Sequence, residues 1–141
     1  MTIFEKQEMI VKQFENCADW DDRYAKLIQM GRNLPPFPEE LRIDKNKLDG
    51  CQSQVWLTAS IKEGNVIFKA DSDAAIVKGL IALLLEVYSN QPPEEILKIP
   101  PEFIKKIGID NHLSPTRKNG LGAMLKQIQM FAFAFKAMLK K

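Results

Sequence analysis

The chain has 141 residues, 45% hydrophobic and 27% charged, with 20 Lys and Arg against 18 Asp and Glu for a formal net charge of +2. Those proportions fit one soluble globular domain over residues 1–141, with a single sizeable core. They exclude a strongly basic nucleic-acid binder, and the longest strongly apolar run, residues 80–85, is far too short to span a bilayer.

The N-terminus carries Glu5 and Glu8 early and lacks the apolar core of a signal peptide, so a cytoplasmic, reducing location is expected. There the two cysteines, Cys17 and Cys51, are expected as free thiols. Residues 3–14 read as a helix, with Ile3, Ile10 and Phe14 at helical spacing, and Cys17 continues that face as a core-facing thiol. Asp19 is placed to cap a second helix whose face carries Trp20, Tyr24, Leu27 and Ile28, while Gly31 and Asn33 loosen its end. Leu34-Pro35-Pro36-Phe37-Pro38 then forces an extended connector, because each proline removes a donor and restricts its predecessor.

The middle of the chain reads as β. Lys47-Leu48-Asp49 is expected as a short strand. Val55, Leu57, Ala59 and Ile61 then alternate with more polar residues; Lys62-Glu63-Gly64-Asn65 turns the chain, and residues 66–69 return as a hairpin. Asp71 and Ser72 are candidate N-caps for a helix through residues 74–85 that is apolar almost all round, hence central. Gly79 inside it costs roughly 1 kcal/mol of helix propensity, which predicts another backbone packed close by. Pro92-Pro93 and Pro100-Pro101 open two short helices. A last helix is predicted after the segment Leu113 to Gly120, with Leu121, Met124, Leu125, Ile128, Phe131 and Phe135 on one face and Lys136, Lys140 and Lys141 complementing its C-terminal dipole. The fold class expected is α+β, a small antiparallel sheet of about three strands covered by helices.

Counting removes most catalytic schemes. His112 is the only histidine, too few for a four-ligand zinc site with two unpaired cysteines, and the thiolates are equally short for an iron–sulfur cluster held within one chain. Gly120-Leu121-Gly122 lacks the preceding strand of a phosphate loop. What remains is Cys51 in the polar loop Gly50-Cys51-Gln52-Ser53-Gln54, just before the strand that starts at Val55. A buried structural cysteine usually sits among hydrophobes, whereas this one is flanked by a turn-forming glycine and amide and hydroxyl side chains. A loop also tolerates an accidental cysteine, so position alone leaves both readings open.

Three segments, taken in order, resemble the SufE family of sulfur-acceptor proteins, with its CsdE branch. They are Gly50-Cys51-Gln52-Ser53-Gln54-Val55-Trp56, Asp71-Ser72-Asp73-Ala74-Ala75-Ile76-Val77-Lys78-Gly79, and Leu113-Ser114-Pro115-Thr116-Arg117 through Gly120-Leu121. The resemblance spans essentially the whole chain. It implies a fold like that of IscU-type scaffolds, and a Cys51 that receives sulfur as a persulfide from a cysteine desulfurase of the SufS or CsdA type. It also implies stimulation of that desulfurase and passage of sulfur to a downstream iron–sulfur scaffold. No cofactor or metal is implied on this chain, since pyridoxal phosphate belongs to the desulfurase, and the chain is a partner and activator rather than a stand-alone enzyme.

Around Cys51, the residues Gly50, Gln52, Ser53 and Gln54 are expected to orient the loop or hydrogen-bond a sulfur anion, or else to be solvated loop. Asp73 either caps the central helix or holds the loop, and Arg117 either stabilises a thiolate or is a surface cation. Two other function classes are weighed beside the carrier: a thiol-dependent redox enzyme, which would activate Cys51 from within the chain, and a passive desulfurase-binding module. A monomer and a homodimer are equally compatible with the sequence.

Overall fold

The computed structural model describes residues 1–139, so the predicted contribution of Lys140 and Lys141 to a helix end lies outside the described residues. Helix α1 (Ile3–Glu15) begins with a capping box: the Thr2 hydroxyl accepts the Glu5 N–H, and the Glu5 carboxylate accepts the Thr2 N–H. Its buried face, Ile3, Gln7, Ile10 and Phe14, turns to the core. Gln7 fixes it to the later chain, donating to the Pro100 carbonyl and accepting the Phe103 N–H. Cys17 lies just beyond this helix, half-buried against the core.

Helix α2 (Trp20–Arg32) starts at the Asp19 cap, whose carboxylate accepts the Asp22 N–H. Gly31 is a buried part of this helix and does not loosen its end. A Cβ built on Gly31 would stand 2.9 Å from the Gly79 nitrogen, and one on Gly79 would collide with the Leu27 carbonyl. The two glycines let the helices cross backbone to backbone, which is why the propensity cost at Gly79 is tolerated.

Strands β1 (Val55–Lys62) and β2 (Asn65–Ser72) form a two-stranded antiparallel sheet, in register from Val55 opposite Ser72 to Lys62 opposite Asn65. Glu63 and Gly64 turn the hairpin with positive φ at both positions, the twist that suits a two-residue connection. The strand expected at residues 47–49 shrinks to a single bridge, Lys47 opposite Trp56, with the Leu48 N–H donating to the Val55 carbonyl. Gly50, at φ +84°, turns the chain away before a ladder can extend. The sheet thus has two strands rather than about three, within the expected α+β class.

Helix α3 (Ala75–Tyr88) is the central element: ten of its fourteen residues are buried, as its all-round apolarity requires. Asp71 and Ser72 do not cap it. They belong to β2, and the N-cap position is Ala74, without a side-chain cap. Two short helices, α4 (Pro93–Lys98) and α5 (Glu102–Lys106), follow as the proline pairs predict. Helix α6 (Pro115–Leu139) starts at Pro115 rather than after Gly120 as expected, because Ser114 caps it by accepting the Arg117 N–H and Pro115 needs no donor in a first turn. Its buried residues Leu121, Met124 and Ile128 pack on the core, and Phe131 meets Phe68 of β2 edge-on at 6.4 Å. Among the described residues, no helix is long and apolar enough to cross a membrane.

The glycine crossing gives a stability test. Gly79→Ala should cost at least about 2 kcal/mol by overpacking, whereas Gly122→Ala, exposed and with open space around it, should gain up to about 1 kcal/mol. Urea unfolding of the two variants beside the parent measures both signs; a parental midpoint for Gly79→Ala would refute the close approach.

Candidate functional site

The loop that carries Cys51 is short and fixed unequally at its ends. Gly50 is exposed and left-handed, so its end of the loop rests on a residue that can change φ at little steric cost. Gln54 is held: its N–H donates to Asp73 Oδ1 at 3.0 Å, and its carbonyl accepts from the Asp73 N–H at 3.3 Å and from Ser72 Oγ at 2.8 Å. Between these ends the half-buried Cys51 thiol turns inward, its Sγ 3.8 Å from the Gly120 carbonyl of α6.

The sulfur faces a cleft of about 570 Å³. Val77, Leu80 and Met124 give it an apolar part; the loop supplies Gln52 and Ser53, and the N-terminal turns of α3 and α6 form the rest, through Ala74 to Val77 and through Ser114, Thr116 and Arg117. Two opposing effects meet at this sulfur. Burial pushes the Cys51 thiol above its ordinary pKa, so the resting group is a protonated thiol. The first turns of α3 and α6, with Arg117, line the same cleft, and the positive helix ends and the arginine charge favour an anion once one forms there. The arrangement stores an unreactive thiol beside groups suited to a sulfur anion. Among the described residues, no cluster of three or more His, Cys, Asp or Glu is placed to hold a metal ion.

The structure sorts the candidate residues. Cys51, Gln52, Ser53 and Arg117 line one cleft, with Arg117 exposed on α6. Gly50 and Gln54 bound the loop. Asp73 is exposed, does not line the cleft and does not cap α3; it grips the Gln54 backbone. His112, the single histidine, stacks on Trp20 with ring centroids 3.6 Å apart and accepts the Trp20 indole N–H, and it is not among the cleft residues. Sequence reasoning missed three participants: Ser72, Gly120 and the uncapped start of α3. Gly120, where an added Cβ would lie 3.7 Å from Cys51 Sγ, is hidden because the last helix is expected to begin only after it.

A family model described as SufE, an Fe–S metabolism associated domain, matches residues 8–132. An uncharacterized SufE-like protein of Synechocystis sp. is 41% identical over 126 residues, covering 89% of this chain and 79% of the relative. The solution structure of a hypothetical protein from Thermus thermophilus superposes with a TM-score of 0.76 at 24% identity, covering 92% of this chain and 94% of that one, which shows the shared fold.

Two properties of the loop are measurable on the isolated protein. The pH–rate profile for iodoacetamide alkylation of Cys51 should have its midpoint above that of a short cysteine peptide, because burial raises the pKa. Asp73→Arg, which cannot accept the Gln54 N–H, should speed that alkylation several-fold with circular dichroism unchanged. An unaltered rate in a folded variant would remove Asp73 from the site.

Proposed function

The chain belongs to the SufE family, which sets it in iron–sulfur metabolism, and on that premise we propose that Cys51 accepts sulfane sulfur from a cysteine desulfurase and carries it as a persulfide. The observation that carries this reading is the half-buried thiol on a loop hinged at Gly50, facing a cleft lined by two helix N-termini and Arg117. The step is the persulfide form of thiol–disulfide exchange. Cys51, as thiolate, attacks the outer sulfur of the desulfurase persulfide; a new S–S bond forms on Cys51, the old one breaks, and the desulfurase cysteine leaves as thiolate. The outer sulfur keeps its oxidation state, so no outside oxidant or reductant enters.

Each part of the site then has a task. Burial keeps the resting thiol protonated and the loaded persulfide away from reductants. The positive ends of α3 and α6, with Arg117, stabilise the anion during transfer. The desulfurase, with its own pyridoxal phosphate, supplies the chemistry on cysteine, and removal of its persulfide lets it turn over again. The sulfur next goes to iron–sulfur cluster assembly. A stand-alone thiol redox enzyme would want a thiolate activated within the chain, and the raised pKa of Cys51 argues against it.

With a desulfurase and cysteine present, mass spectrometry should find one added sulfur on Cys51 and none on Cys17. The protein should accelerate cysteine desulfuration, and Cys51→Ser should abolish the acceleration while leaving thermal stability near that of the parent. A Ser variant that stimulates as well as the parent would favour allosteric activation without sulfur transfer.

A further inference from the structure

We infer that Ser72 is a positioning residue for Cys51, its buried hydroxyl anchoring one end of the loop so that only residues 50–53 move. The inference rests on the sulfur-acceptor reading for its purpose, though its geometry stands without it. Ser72 is the last residue of β2, opposite Val55, the first of β1. Its hydroxyl continues the pairing one residue past the ladder, donating to the Gln54 carbonyl at 2.8 Å and accepting the Ala74 N–H at 3.3 Å. One buried oxygen therefore ties the end of the cysteine loop to the start of α3, the helix whose first turn faces the sulfur.

Ser72 is itself held. Its N–H donates to Asp71 Oδ1 at 2.9 Å, and the Asp71 carboxylate is fixed by Lys78 of α3 at 3.1 Å and by Arg42 at 2.6 Å. The Arg42 guanidinium lies over the rings of Phe37 and Trp56, 5.4 and 4.9 Å from their centroids, which draws the proline-rich connector and β1 into the same anchor. The other end of the loop is tied to β1 at Leu48, whose N–H donates to the Val55 carbonyl at 2.8 Å, and between that bond and Cys51 the exposed, left-handed Gly50 leaves the backbone free to turn.

Cys51 lies three residues from Gln54, so an extended loop can carry it no more than about 10 Å from that fixed point. A partner's persulfide must come within that reach, and the inward position is recovered when the partner leaves. Without the Ser72 hydroxyl, the pivot at Gln54 softens and the inward position loses its definition.

The test uses the isolated protein. In Ser72→Ala, alkylation of Cys51 by iodoacetamide should rise about five-fold, the scale set by losing one net hydrogen bond, and its pH midpoint should fall toward that of an ordinary thiol. Cys17, alkylated in the same sample, should keep its parental rate. A parental rate and profile at Cys51, or parallel acceleration of both cysteines, would overturn the inference, the latter by exposing general loosening. If the variant does not fold, amide hydrogen exchange of the parent decides: Ala74, whose N–H donates to the Ser72 hydroxyl, should exchange roughly ten-fold or more slowly than residues 51–53, and equal rates would overturn the anchor. Failure of parental Cys51 to take up sulfur from a desulfurase would instead defeat the acceptor reading and leave this anchor standing.

Discussion

The backbone of Gln54 is held at both of its polar groups, by Asp73 at the N–H and by Ser72 and Asp73 at the carbonyl. Without this grip the segment before β1 would be an ordinary exposed loop, and Cys51 an ordinary surface thiol. With it, the chain between Gly50 and Gln54 is short enough that the sulfur has one inward place to rest, against Gly120 and the first turns of α3 and α6. Those turns are in position because α3 is packed backbone to backbone on α2 through Gly79 and Gly31, and because the buried face of α6 closes the core. The site depends on the hairpin's end, and the hairpin's end is braced by the Arg42–Asp71–Lys78 group. Asp71 is partly buried, which by itself would raise its pKa, yet the hydrogen bonds from Arg42, Lys78 and the Ser72 N–H together hold it below the usual carboxylate range. With a lowered folded pKa, the stabilisation it gives is present above the unfolded carboxylate value and lost as pH falls through the folded one.

The electrostatic design favours holding over attacking. A nucleophilic cysteine enzyme lowers its thiol pKa permanently, whereas burial here raises it. A raised pKa costs thiolate at rest but gives a more basic and intrinsically stronger nucleophile once the proton is gone. On the proposed carrier role that balance is favourable: the thiol stays protonated at rest, and its proton passes to a base of the docked partner before the sulfur attacks, since exclusion of water alone would raise the pKa further. On the same proposed role the single thiol at the site is an advantage, because a second cysteine within reach would displace sulfide from a persulfide and close a disulfide.

Much of this was legible in the residues. The hairpin, its turn, the central helix and the close backbone at Gly79 follow from period, turn chemistry and propensity, which act locally. The odd setting of Cys51 is also visible, as a thiol among amides and hydroxyls. The errors lie where one residue type serves two structures. Asp71 and Ser72 look like helix caps because short polar side chains that accept from backbone amides suit caps and strand ends alike. Only the pairing of Val55 with Ser72, set by the register of a distant turn, decides between them. Ser114-Pro115-Thr116 reads as lying ahead of the last helix, although serine followed by proline also opens one. The role of Ser72 toward Gln54 is invisible in sequence, since it depends on a contact across eighteen residues.

The central claim, that sulfur passes directly from a desulfurase to Cys51, is tested most directly by a single-turnover transfer. A desulfurase charged with isotopically labelled persulfide sulfur, freed of cysteine, is mixed with one equivalent of this protein, and the label is followed on both chains by mass spectrometry. Direct transfer predicts that the label appears on Cys51 at the rate at which it leaves the desulfurase, with little free sulfide. Label lost as sulfide, with Cys51 remaining unloaded, would contradict it.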